Sequence, residues 1–184
     1  MTSSRYPTLC LAVLLIAAAP PVSFAPVEPG FAPASGEYRR LWESDGARIV
    51  EALERTAGTP FPPGRIEIVV SEGRPMASYD GRTIRLRASY SPDYKKATLV
   101  HELGHRLAFA FPRGSGLDDH RLLYLFLYDA WTDLYGQDYA DRMVSIERRI
   151  APAYEEAWAW ALAMTREERQ ARLAALRKRT LEPA

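Results

Sequence analysis

The chain has almost no cysteine. Cys10 is the only one in 184 residues, so a disulfide framework and a cysteine-built metal site are both excluded. Histidine is nearly as scarce, with three in the chain. No sign of charge dominates: 24 basic residues stand against 23 acidic ones. Nothing in that balance points to nucleic acid or to a strongly acidic partner. An apolar content of 47% with 26% charged residues belongs to a globular chain with room for one core, not to a disordered one. Internal repeats and low-complexity tracts are absent.

Long apolar runs are missing too, except near the start. Arg5 is the only charge before Glu28 and precedes the run Leu9–Ala19. That run is shorter than the ~20 residues a membrane span needs. A short positive region, a short apolar run and the small residues Ser23 and Ala25 predict a secretory signal peptide over residues 1–25. The mature chain is then secreted or periplasmic with no stable membrane span, or membrane-anchored if the segment stays on. Its removal takes Cys10, leaves no thiol, and leaves equal numbers of basic and acidic residues. Residues 26–36, rich in Pro, Gly and Ala, read as a flexible lead-in to a single domain over 37–184.

Within that domain the hydrophobic period changes along the chain. Ile49, Val50, Leu53 and Ala57 recur at helical spacing inside 37–57, with Gly58 and Pro60 as a stop. Ile66, Ile68 and Val70 alternate, as do residues 83–87, which predicts two strands about a turn-rich stretch from Gly73 to Gly81. Ser91 and Pro92 open a helix running to about Phe109, before Pro112. Pro112 to Gly116 reads as a loop. Asp118 or Asp119 caps the next helix, which ends near Gly136, and 138–150 and 152–164 follow. Thr165 with Glu168 forms a capping box for a last helix. Leu122–Tyr128 is apolar nearly all round, the mark of a central buried helix. The fold class expected is α+β, mainly helical, with a small sheet ahead of the Ser91 helix.

Two of the three histidines, His101 and His105, fall in one five-residue window of that helix. A spacing of four puts both imidazoles on one face, one turn apart, within reach of one metal ion. Glu102 flanks them as a candidate base for a metal-activated water. Gly104 between them costs a helix ~1 kcal/mol relative to Ala, a cost that a close packing partner would justify. Zinc with three protein ligands keeps a fourth position for water. For the third ligand the residues leave alternatives. His120 comes first, separated from His105 by fourteen intervening residues that include a Gly-containing loop. Glu156 or Glu155 comes next, then Asp119, Asp129 and Asp133. Asp118, Asp129 and Asp133 are also candidates to accept the second N–H of a ligand imidazole. Tyr124, Tyr128 and Tyr154 are unranked candidates to donate to an oxyanion.

The segment Thr98-Leu99-Val100-His101-Glu102-Leu103-Gly104-His105 resembles the active-site helix of the zincin metallopeptidases. The strand–turn–strand–helix order of 65–109 is similar in a looser way. The spacing to His120 resembles that of the SprT-like zincins, and Glu156-Ala157-Trp158-Ala159-Trp160-Ala161 resembles the glutamate-ligand segment of the ImmA type. The short-spaced Gly and His of metzincins are not there. The resemblance implies one Zn2+, Glu102 as general base, a peptide or protein substrate, and a sheet edge strand beside the helix, for which Ile84–Arg87 is the candidate. Two other functions suit the same residues: a zinc-binding interaction protein without catalysis, and a metal-dependent amidase of cell-envelope material.

Overall fold

The computed structural model describes residues 19–111 and 116–178. The signal-peptide run expected over residues 1–25 lies outside them up to residue 18, as does the loop over 112–115. The described chain is α+β: four strands and six α-helices, with the sheet ahead of most of the helical part. Strands β1 (Val22–Pro26), β2 (Ile66–Ser71), β3 (Met76–Ala77) and β4 (Thr83–Arg87) form one sheet in the order β1-β2-β4-β3. The first three in that order run parallel and β3 is antiparallel to β4. Helix α1 (Ala32–Ala57) makes the long crossover that a parallel β1–β2 pair requires.

One expectation near the start is corrected. Residues 26–36 are not a flexible lead-in. Pro26 ends β1, Pro29–Phe31 is one 3-10 turn, and α1 already begins at Ala32. Pro29 and Pro33 sit in the first turns of their helices, where a missing N–H costs nothing. Val22–Ala25 are likewise a paired part of the sheet, in register with Ile66–Val69. Phe24 is buried beneath it. Among the described residues no helix is long and apolar enough to cross a membrane.

Elsewhere the local rules act as expected. Gly58 ends α1 with φ 65°, a left-handed conformation that glycine adopts without strain. Arg177 donates to the carbonyl of Ala57 there, at 2.5 Å. Ser91 Oγ caps α2 (Pro92–Ala108) by accepting from the Tyr94 N–H. Asp118 caps α3 (Asp119–Tyr135), accepting from the Arg121 N–H at 2.8 Å. Helices α4 (Gln137–Glu147) and α5 (Pro152–Leu162) follow, separated at Pro152. Thr165 and Glu168 exchange reciprocal bonds of 2.7 and 3.2 Å at the start of α6 (Arg166–Lys178).

Helix α3 is the hub. It packs against α1, α2, α4, α5 and α6. Leu123 through Leu127 are wholly inaccessible, which is why this helix is apolar on every side. Gly104 is where α2 meets it. A Cβ on Gly104 would lie 2.5 Å from Leu123 Cδ1, so the glycine permits the approach of the two helices. The sheet edge differs from expectation. Strand β4 lies inside the sheet between β2 and β3, and the edge beside α2 is the two-residue β3, drawn from the stretch that reads as turn. Two residues are too few to show alternation in a sequence.

Candidate metal centre

Helix α2 carries His101 and His105 toward His120 in the first turn of α3, and Glu102 toward Ala77 of β3. The three imidazoles converge: one ring nitrogen from each lies within 4.8 Å of the others. His101 Nε2 and His105 Nε2 are 3.1 Å apart. A tetrahedral ion ~2.0–2.1 Å from each nitrogen would separate them by ~3.3 Å. The pair therefore already stands near the spacing of two ligands on one ion, and the group could hold a metal. His101 is buried and the other two are half-buried.

The environment keeps two of the three imidazoles neutral, with free lone pairs. Burial is the largest influence on His120 and pushes its pKa down to about 4, helped by the charge of His101. Burial likewise holds His105 well below the usual imidazole value. His101 moves the other way. Burial pulls it down, but the charge and hydrogen bond of Glu147 outweigh that and raise it. Glu147 is the residue that sequence reasoning missed. Its Oε1 accepts from His101 Nδ1 at 2.7 Å. With Nδ1 carrying the proton, Nε2 is left as the free lone pair, facing the other imidazoles. Oε2 of Glu147 accepts from Tyr124 Oη at 3.1 Å and from Trp158 Nε1 at 3.0 Å. Trp158 and Tyr124 stack with ring centroids 3.7 Å apart. The carboxylate is thus fixed by three donors from three helices.

A signal for Glu147 exists in the sequence. Tyr139, Ala140, Met143 and Val144 form the buried stripe of α4, and Glu147 occupies the next position of that stripe. A carboxylate at a core position needs partners, and here the partners are the site. None of the acids expected in this role fills it. Asp118 caps α3. Asp129 pairs with Arg169 at 2.6 Å, and Asp133 is held by Arg166 and Arg55. Asp118 is thus spent on α3 itself, and Asp129 and Asp133 are turned to other helices. Of the alternative ligands, Glu155 is ion-paired with Arg148 and Glu156 is exposed on α5. Asp119 is exposed beside His120.

Glu102 lies at the border between the imidazoles and a cavity of about 520 Å³. It is 4% exposed. Burial raises its pKa to about 7. The Glu147 carboxylate adds to the rise; the charge of His101, the Ala77 N–H that donates to it, and Arg74 oppose it. Its Oε2 is buried with no hydrogen-bond partner among the described residues. Compared with known families, curated proteins and solved structures, the chain matches none. What the site can do therefore rests on its own geometry.

Of the three tyrosines left unranked, two are engaged elsewhere: Tyr124 donates to Glu147, and Tyr128 donates to Asp141 at 2.8 Å. Tyr154 lines the cavity, its ring 4.3 Å from that of His120. Its oxygen accepts from Arg74 at 3.2 Å, which leaves its own proton to be donated.

Proposed function

We propose that this chain is an exported zinc-dependent peptidase, hydrolysing peptide bonds with Glu102 as general base. One observation carries the reading: an unpartnered, buried carboxylate oxygen on Glu102 beside three converging imidazoles, at the wall of a cavity. Neutral imidazoles suit zinc, and three of them leave one position open, as catalytic rather than structural zinc requires. When bound, zinc would lower the pKa of a water and polarise the substrate carbonyl. Glu102 takes the proton from water and returns it to the leaving amine. Tyr154 donates to the oxygen that gains charge at the carbonyl. Glu147 holds His101 in one tautomer and one orientation throughout. The absence of a fourth protein ligand in the group among the described residues favours catalysis over a purely structural metal.

The test is Glu102→Gln. The variant should bind zinc with wild-type stoichiometry and lose about 10²–10⁴-fold in the rate of peptide hydrolysis. Hydrolysis at the wild-type rate in a metal-loaded Glu102→Gln protein would overturn the mechanism.

A further inference from the structure

The charges lining the cavity do not all cancel within the protein. Glu147 is committed to His101, Tyr124 and Trp158. Arg87 is paired with Glu72 at 3.1 Å. Arg74 is different: among the described residues it forms no ion pair, although it lines the same cavity as His101 and Glu102. It is nonetheless held in place. Its guanidinium donates to Tyr154 Oη at 3.2 Å and lies over the Tyr154 ring at 6.0 Å. Its own carbonyl accepts from Arg85 Nε at 2.8 Å. Tyr154 in turn is packed on His120. A guanidinium has five N–H donors in a planar fork, and the structure uses one of them. The remaining donors form a ready site for a carboxylate, which takes two in parallel. Pro75, Tyr90, Tyr94, Ile146 and Ile150 complete the wall, an apolar and aromatic surround that suits the side chains flanking such a carboxylate.

Resting on the peptidase reading, we propose that Arg74 is the specificity residue of this site and that it selects peptides bearing a carboxylate next to the bond cleaved. The carboxylate is either the free C-terminus or an Asp or Glu side chain. Arg74 also ties selection to chemistry, because the hydroxyl it holds is the one poised to donate to the oxyanion.

Binding is measured by calorimetry on the zinc-loaded Glu102→Gln full chain, so that the peptide is not consumed. Three peptides of one sequence are compared: a free C-terminus with no acidic side chain, an amidated C-terminus with one Glu, and the amidated form with Gln in its place. One of the acidic peptides should bind about tenfold or more tightly than the neutral one, and which one does so identifies the source of the carboxylate. Arg74→Ala should erase the preference with zinc content unchanged, and Arg74→Lys should keep part of it. The preference should also shrink between about 50 and 500 mM salt, because Arg74 is exposed. Equal binding of all three peptides, or a preference that survives Arg74→Ala, overturns the proposal. The two readings fail separately: a carboxylate preference in a wild-type chain that cleaves nothing removes the peptidase and keeps the site, while Glu102-dependent cleavage without the preference does the reverse.

Discussion

Glu147 shows how a single side chain can define a site to which it is not a ligand. It fixes which nitrogen of His101 carries the proton, and so which one faces the other imidazoles. Glu147→Gln preserves the size of the side chain but offers His101 an amide in place of a charge. Zinc affinity, read by competition with a chelator, should fall about 10–100-fold. Imidazole ¹⁵N spectra of the metal-free protein should show His101 losing its fixed Nδ1–H tautomer. A variant with unchanged affinity and tautomer would assign Glu147 to packing alone. His101, Glu102 and His105 were legible from sequence because their spacing is local, within one helical turn. Glu147 was not, because its contact with His101 spans 46 positions, and only its place on a buried stripe marks it out. His120 lay between the two cases. Loop spacing made it one option among several, and only the convergence of α2 and α3 sets it apart from Glu156.

At the scale of elements, the contact of α2 with α3 decides whether the imidazoles meet at all. Gly104 sits at that contact, facing Leu123. Ala is the better helix former by ~1 kcal/mol, yet its methyl would overlap a side chain that is wholly buried and has little room to turn. Overpacking of this kind costs ~1–3 kcal/mol, so Gly104→Ala should be net destabilising by about 1 kcal/mol in a denaturant titration. It should also weaken zinc binding, because α2 and α3 move apart. An equal or higher unfolding midpoint would show that the helices do not need the glycine. The elements themselves were readable because caps and stops are chemical and local: Ser91, Asp118, the Thr165–Glu168 box and Gly58 all act where they stand. Strand β3 was not, being two residues long. Nor was β1, which lies in a stretch whose prolines and small residues read as a processing site and a lead-in.

For the whole molecule, β1 sets the limit of what can be removed. Val22–Pro26 pairs along its full length with β2 and buries Phe24. A chain starting at Pro26 should lose that strand, expose one edge of β2, and unfold at lower denaturant than a chain starting at Ala19. Equal midpoints for the two would show that β1 adds nothing to stability. If residues up to Ala25 are to be cut off during export, the cut must come before the sheet forms; a cut upstream of Val22 leaves the fold whole.

Two buried cations act on opposite ends of the helix that bears the candidate metal centre. Near its start, Lys95 is ion-paired with Glu37 of α1. Near its end, Arg106 donates to the carbonyls of Pro62, Pro63, Gly64 and Gly81. In mechanical terms α2 is a beam clamped at both supports, with His101 and His105 along its span. That pair is the stationary jaw of the centre. His120 arrives from a different helix, so the opening of the third jaw is set by how α3 seats on α2.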